Sequence, residues 1–134
     1  GNGGSLTTAN HLALDWNKVG GINTITLNNA EALTAWSNDI KFEDCFLRQL
    51  EAYNLTEDDV ILLISTSGSS YNILKIWDIY KSRCQFLGMS GERGRLKEAV
   101  PLTAAVPSEN VRVIEDYHLS VGHAITEIFD GLKQ

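Results

Sequence analysis

The chain has 134 residues, 43% of them hydrophobic, which is enough apolar material for one domain with a single core. Its formal net charge of −6 and its lack of a basic cluster argue against nucleic acid or an anionic membrane as a partner. No apolar stretch reaches the length of a membrane span, and we expect a cytoplasmic protein whose two cysteines, Cys45 and Cys84, are reduced core thiols.

Apolar periodicity predicts helices and strands that alternate along the chain. In chain order we expect a helix over 6–18, a strand over 22–27, helices over 30–37 and 42–53, a strand over 59–64, a helix over 70–82, a strand over 84–89, a short helix over 93–98, a strand over 100–106 and a helix over 109–131. Such alternation predicts an α/β fold with a parallel sheet between helices. No linker or repeat interrupts it, so we treat residues 1–134 as one domain.

A glycine-rich turn, GNGGS at residues 1–5, precedes the first predicted helix. Three glycines around Asn2 and Ser5 can form a backbone nest for an anion or a sugar hydroxyl. A cloning remnant or a disordered terminus would have the same composition, and that alternative stays open. His11 and Asp15 follow four residues apart, which places them on one face of the helix.

A loop rich in hydroxyl groups follows the apolar run at residues 60–64. This serine loop, residues 65–70, reads Ser-Thr-Ser-Gly-Ser-Ser and lies between a predicted strand and a predicted helix, where free N–H groups and the helix dipole favour an anion. Because it contains no lysine or arginine, it is neither a Walker A motif nor a dinucleotide fingerprint. A phosphate site and an ordinary serine-rich turn with a helix cap are both consistent with the loop alone.

Two separated motifs in order, GNGGS with His11 and Asp15 and then ISTSGSSxN, resemble the sugar isomerase (SIS) domain family, most closely the phosphoheptose isomerases. The resemblance extends to WSND at 36–39, LGMSG at 87–91 and the final helix with Glu115 and His123. It implies a three-layer αβα sandwich of flavodoxin-like or Rossmann-like type. In that family GNGGS follows a strand and helices used in subunit packing, so we expect this chain to lack its N-terminal strand and helices.

The resemblance implies aldose–ketose isomerisation of sedoheptulose 7-phosphate to glycero-manno-heptose 7-phosphate, or of a related phosphosugar, through an enediol. This reaction supplies heptose for bacterial surface polysaccharide such as lipopolysaccharide. By the same resemblance, Asp15 and His123 divide the catalytic base and acid roles. The residues implied in substrate binding are Asn2, Ser5, Asp39, Ser65, Thr66, Ser67, Ser70, Ser90 and Glu115.

In some family members the side chains at the positions of His11, Asp15, Glu115 and His123 bind zinc. Two imidazoles and two carboxylates form a reasonable ligand set for Zn²⁺ or a similar ion, so one metal per site is expected beside the metal-free alternative, and no organic cofactor. The chain departs from the family by having Asp15 for a usual glutamate and Glu115 for a usual glutamine. The first change shortens the arm of the base, and the second raises a carboxyl pKa or attracts a cation.

The alternative function is a non-catalytic SIS module that binds a phosphosugar or a protein partner in regulation. Retention of His11, Asp15 and His123 favours catalysis, because a binding module does not need an acid–base set. His118 lies in an apolar stripe and is expected to be a packed, hydrogen-bonded residue instead of a ligand. The expected partners are a phosphorylated sugar and three further copies of the chain in a homotetramer.

Overall fold

A computed structural model describes residues 1–132. In this part of the chain, helices and strands follow one another as α1 Gly4–Asp15, α2 Ala30–Asp39, α3 Cys45–Leu50, β1 Val60–Ser65, α4 Tyr71–Tyr80, β2 Gln85–Gly91, α5 Arg95–Ala99, β3 Thr103–Val106 and α6 Val111–Gly131. A π-helical turn, Trp16–Gly20, continues α1, and short 3₁₀ turns flank α3. None of these helices is both long and apolar enough to cross a membrane.

The three strands form a parallel sheet in the order β1-β2-β3. Ile64 of β1 lies opposite Met89 of β2, and Ser90 lies opposite Ala105 of β3. Leu63 and Ile64 point to opposite faces and are both buried, as expected for a strand covered on both sides. Because the strands are parallel, the serine loop and the loops after Gly91 and Val106 leave the sheet at the same edge.

Helices cover both faces of the sheet and create two cores. On one face α3, α4 and α5 contribute a cluster that includes Phe46, Ile73 and Leu96. On the other face α1 and α6 pack through Leu12 and Trp16 against the strand residues Ile64 and Met89. The predicted three-layer α/β architecture with a parallel sheet is therefore confirmed.

Both cysteines are free, as predicted. Cys45 at the start of α3 is fully buried, and Cys84 just before β2 is half-buried. Burial raises the pKa of both thiols, which makes them less prone to ionise and react. Cys45 therefore behaves as a small core residue of α3.

The strand predicted over 22–27 is wrong. Residues 21–29 contain neither helix nor strand, and Ile22 and Ile25 are 39% and 49% exposed. Instead, the Asn17 side chain closes a local loop by donating to the Thr24 carbonyl and accepting from the Thr24 N–H. β-branched residues form a strand only where a sheet edge pairs with them, and within residues 1–132 the sheet contains only β1, β2 and β3.

Candidate functional site

Three side chains from the two ends of the chain meet between α1 and α6. His11 and Asp15 lie one turn apart on α1, and His123 approaches them from α6. The two Nε2 atoms are 2.9 Å apart, and Asp15 Oδ2 is 3.4 Å from His11 Nε2 and 3.8 Å from His123 Nε2. We call these three residues the histidine cluster. Its imidazoles are about half exposed, so a ligand can reach them.

Close packing of α1 against α6 positions the cluster. The two helices run parallel: Gly4 lies against Glu115, Leu12 against Gly122, and Trp16 Nε1 donates to Thr126 Oγ1 at 3.1 Å. A Cβ atom on Gly122 would overlap the buried Leu12 side chain, so only glycine allows this separation of the helices. The glycine next to His123 thus brings the two imidazoles within contact distance.

The geometry of the cluster fits a divalent cation. Its three ligand atoms all lie within 4.8 Å of one another, at separations of 2.9, 3.4 and 3.8 Å. A tetrahedral zinc ion with bonds of about 2.0–2.1 Å requires ligand atoms about 3.3 Å apart. Two imidazoles and one carboxylate, with a fourth position left for water or substrate, are the ligand set of many catalytic zinc sites. His11, Asp15 and His123 are therefore suited to hold such an ion.

Glu115 is placed at the other end of α1. Its carboxylate occupies the space that a Cβ of Gly4 would need, at the first residue of that helix. His11 is seven residues further along, or roughly 10 Å of helical rise. Among residues 1–132, the structure thus brings three of the four predicted metal ligands together and places Glu115 beside the glycine-rich turn.

The serine loop curls so that its hydroxyl groups converge. Ser65 Oγ donates to Ser70 Oγ at 3.1 Å and lies 3.5 Å from Ser67 Oγ. The Gly68 N–H donates to the Ser65 carbonyl at 2.9 Å, and Gly68 has a φ of +62°, which disfavours other residues. Ser70 is the N-cap residue of α4, but its side chain makes no capping hydrogen bond. The Ser70 hydroxyl is thus available to a ligand at this helix N-terminus.

A pair of side-chain amides connects the serine loop side of the sheet to the glycine-rich turn. Asn2 and Asn72 each donate Nδ2 to the Oδ1 of the other, and both distances are 2.9 Å. Asn72 is buried in the first turn of α4, immediately after the serine loop. Sequence reasoning assigned no role to Asn72, although its fixed place at the end of the motif ISTSGSSxN was the available signal.

The other predicted substrate-binding residues lie in diverse surroundings. Ser5 is buried in the first turn of α1, and the backbone carbonyl of Thr66 accepts from the Gly91 N–H at 3.0 Å. Asp39 ends α2, is exposed, and accepts from Asn38 Nδ2 at 3.1 Å. Ser90 is completely buried and donates to the Gly91 carbonyl at 2.8 Å, so direct contact with a sugar would require its neighbours to move.

His118 is a packed, hydrogen-bonded residue, as its place in the apolar stripe predicted. It is completely buried, and its Nε2–H donates to the Ser90 carbonyl at 3.1 Å. Its Nδ1 has no hydrogen-bond partner among the described residues. Burial lowers the pKa of His118, although the Ser90 hydrogen bond and the charge of Glu115 oppose that shift. His118 therefore stays neutral and attaches α6 to the end of β2.

Comparison by sequence and comparison by structure both find proteins named phosphoheptose isomerase. A scan against protein-family models finds no match. The phosphoheptose isomerase of Thermodesulfovibrio yellowstonii is 34% identical over 140 residues, covering 98% of this chain and 69% of that protein. The Nitratiruptor sp. phosphoheptose isomerase is 36% identical, and the match covers 97% of this chain and 73% of that protein. The solved phosphoheptose isomerase from Francisella tularensis superposes with a TM-score of 0.87 at 28% identity, and the match covers 97% of this chain and 72% of that one. The solved phosphoheptose isomerase from Neisseria gonorrhoeae superposes with a TM-score of 0.89 at 29% identity, and the match covers 97% of this chain and 74% of that one.

Proposed function

Because this chain belongs to the phosphoheptose isomerase family, we propose that it interconverts sedoheptulose 7-phosphate and glycero-manno-heptose 7-phosphate. The observation that best supports this reaction is the histidine cluster, in which two imidazoles and a carboxylate meet at an accessible surface. The serine loop, at the N-terminus of α4, supplies a separate place for the phosphate. The enzyme is therefore an isomerase of phosphorylated sugars.

The length of α1 gives an approximate separation between the proposed phosphate site and the histidine cluster. The Asn2 and Asn72 amide pair attaches the start of α1 to the start of α4, where the serine loop would hold the phosphate. From Ser5, in the first turn of α1, to His11 the helix rises by roughly 9 Å. An extended sugar chain has a comparable length. With its phosphate in the serine loop, the substrate would present its first two carbons near the histidine cluster.

The reaction needs one group that removes a proton from carbon and another that moves protons between the two oxygens. We assign these roles to Asp15 and His123, which face each other across the cluster at 3.8 Å. Asp15 Oδ2 faces both imidazoles, which leaves Oδ1 to accept the substrate proton. His11 holds the Asp15 carboxylate from the same helix, one turn away.

A zinc ion is the proposed metal, held by His11, Asp15 and His123. Because a metal-bound nitrogen cannot carry a proton, His123 would then exchange protons through its other ring nitrogen, Nδ1. When bound, it would polarise the substrate oxygens as a Lewis acid. The separations between the three ligand atoms support this assignment, and Glu115 is close enough to the start of α1 to contact the sugar instead. Asn2, Asp39 and Ser90 complete the proposed sugar site, with Ser5, Ser65, Thr66, Ser67 and Ser70 around the phosphate.

We further propose a homotetramer in the cytoplasm that supplies heptose for bacterial surface polysaccharide. Support for assembly comes from exposed apolar side chains on the two helices that carry the cluster. Leu14 on α1 is 63% exposed, and Tyr117 on α6 is 58% exposed. Association that covers these side chains would remove their apolar surface from water.

The decisive experiment is to incubate the full-length protein with sedoheptulose 7-phosphate and follow the aldose product. It is done after treatment with a chelator and again after zinc is added back. We expect turnover that zinc restores. No turnover under either condition, together with tight phosphosugar binding, would contradict the enzymatic function and favour a regulatory binding module. Equal turnover with and without zinc would support the isomerase activity but contradict the proposed zinc site.

A further inference from the structure

The serine loop lacks a positive charge, but an arginine lies directly beside it. The end of β2 and the loop after it, residues 92–94, pack on the serine loop. The Gly91 N–H at the end of β2 donates to the Thr66 carbonyl at 3.0 Å. A Cβ atom placed on Gly68 would lie 2.6 Å from the carbonyl oxygen of Arg93. The backbone of Arg93 therefore touches the middle of the serine loop, so its long, flexible side chain starts from the place where the loop would hold an anion.

Glu109 holds the Arg93 guanidinium in the free protein. The two side chains form an ion pair between the loop after β2 and the residue before the N-cap of α6. Both are highly exposed, at 80% and 69%. An exposed ion pair of this kind contributes little to stability and exchanges its partners readily. The Arg93–Glu109 pair thus lies at the same sheet edge as the serine loop, and the Arg93 side chain can change its partner.

We propose that Arg93 is a specificity-determining residue that leaves Glu109 and pairs with the substrate phosphate in the serine loop. A phosphate dianion carries more charge than the Glu109 carboxylate and can likewise accept two N–H groups of the guanidinium, so it is the stronger partner. Glu109 then regulates affinity by competing for Arg93 and by repelling the phosphate. This inference rests on the proposed phosphosugar activity and adds a cation to a site otherwise built from hydroxyl and backbone groups.

The test uses two substitutions with opposite expected effects. Arg93→Gln should raise KM for sedoheptulose 7-phosphate about 5- to 10-fold with kcat changed less than about twofold, because the phosphate is bound equally in the ground and transition states. Glu109→Gln should lower KM about 2- to 3-fold, because it frees Arg93. In the double variant, Glu109→Gln should lower KM less than it does in the wild type, because Arg93 is no longer present to be freed.

Arg83→Gln is the matched control. It removes the same charge from an exposed arginine that precedes β2, at the opposite edge of the sheet, and should leave KM unchanged. Raising the salt concentration should weaken substrate binding more in the wild type than in Arg93→Gln, because only the wild type uses this exposed charge.

A second readout separates this inference from the catalytic function. Calorimetric titration with inorganic phosphate measures the anion site without turnover, and Arg93→Gln should weaken that binding by a factor similar to its effect on KM. If the wild type binds phosphate but does not turn over sugar, the proposed reaction fails while the Arg93 test still stands. Unchanged phosphate binding in Arg93→Gln, or shifts of the same sign in Arg93→Gln and Glu109→Gln, would overturn the role of Arg93.

Discussion

The serine loop and the histidine cluster are built in opposite ways. The serine loop is six consecutive residues from the last residue of β1 to the N-cap of α4, and its shape depends on local hydrogen bonds and on the positive φ of Gly68. The histidine cluster joins His11 to His123, which are 112 positions apart, and depends on how α1 packs against α6. The first is thus a property of one short segment and the second a property of the assembled core.

Because the two regions are built differently, we expect substitutions in them to change different kinetic parameters. A substitution in the serine loop should weaken substrate binding and leave the chemistry intact, which appears as a higher KM. A substitution that disturbs the cluster or its supporting helices should lower kcat, because the acid and base act in the transition state.

The largest expected effect is that of Asp15→Asn. Because the amide cannot accept the substrate proton, kcat should fall about a thousandfold, within the range typical of general acid–base groups. Phosphosugar affinity, measured by calorimetry, should stay nearly unchanged. Asp116→Asn, an exposed carboxylate on α6 outside the cluster, is the control and should keep full activity. A large loss of phosphosugar affinity in Asp15→Asn would instead show that Asp15 acts mainly by holding the site or its metal together and not as the base.

Gly122→Ala should come next, because it disturbs the cluster without touching its side chains. The added methyl group would overlap Leu12 and push α6 away from α1. We expect kcat to fall about tenfold and the free energy of unfolding to fall by about 1–3 kcal/mol, as is usual for overpacked cores. Gly131→Ala in the same helix has open space around its Cβ position and should be neutral or slightly stabilising. Wild-type kcat in Gly122→Ala would show that the helix separation is unimportant.

Ser70→Ala should produce an effect of similar size on KM instead of kcat. KM should rise about tenfold while kcat stays constant, because a hydrogen bond to a charged group is worth about 1.5 kcal/mol or more, about a tenfold change in binding, and is present throughout the reaction. Ser70→Ala also removes the acceptor of the Ser65 hydrogen bond, but the Ser70 hydroxyl makes no capping hydrogen bond, so chemical denaturation should show a loss of only about 1 kcal/mol or less. Ser69→Ala, whose hydroxyl bonds the Ser67 carbonyl instead, is the matched control. A change in kcat for Ser70→Ala would contradict the separation of binding from chemistry.

The smallest expected effect concerns stability at acid pH. Burial lowers the pKa of His118 in the folded protein below its unfolded value of about 6.5, so the unfolded chain binds the additional proton first. The stability contribution of neutral His118 is complete above that value and is lost as the pH falls towards the folded pKa. Urea midpoints at pH 7.5 and 5.5 should reveal a decline, and NMR titration of His118 should give a depressed pKa. A His118 pKa at or above 6.5 would contradict this account.

The sequence predicted well those features that depend on neighbours along the chain. Every strand of the sheet and every helix was anticipated, because buried runs such as residues 60–64 and the stripe of α6 carry strong periodicity. Residues 22–27 were the exception: their β-branched residues are typical of a strand, but pairing is decided by the surrounding sheet. Local sequence contains no information on whether a neighbouring edge is present.

The candidate site shows the same limit. The pairing of His11 with Asp15 follows from their spacing of four, and the hydroxyl groups of the serine loop are evident from composition. The placement of Glu115 beside Gly4, away from the histidine cluster, follows from the parallel alignment of α1 and α6 and could not be derived from spacing. The same holds for the Asn72 amide pair, whose two members are 70 positions apart.

That amide pair has a consequence for how this sequence can diverge. Each asparagine donates one hydrogen bond and accepts one, so a change of either residue alone breaks both bonds and leaves a polar group unpaired next to the buried Asn72. An aspartate at one position would set two acceptors against each other. Single substitutions should therefore lower stability, and we expect positions 2 and 72 to change together or not at all during evolution.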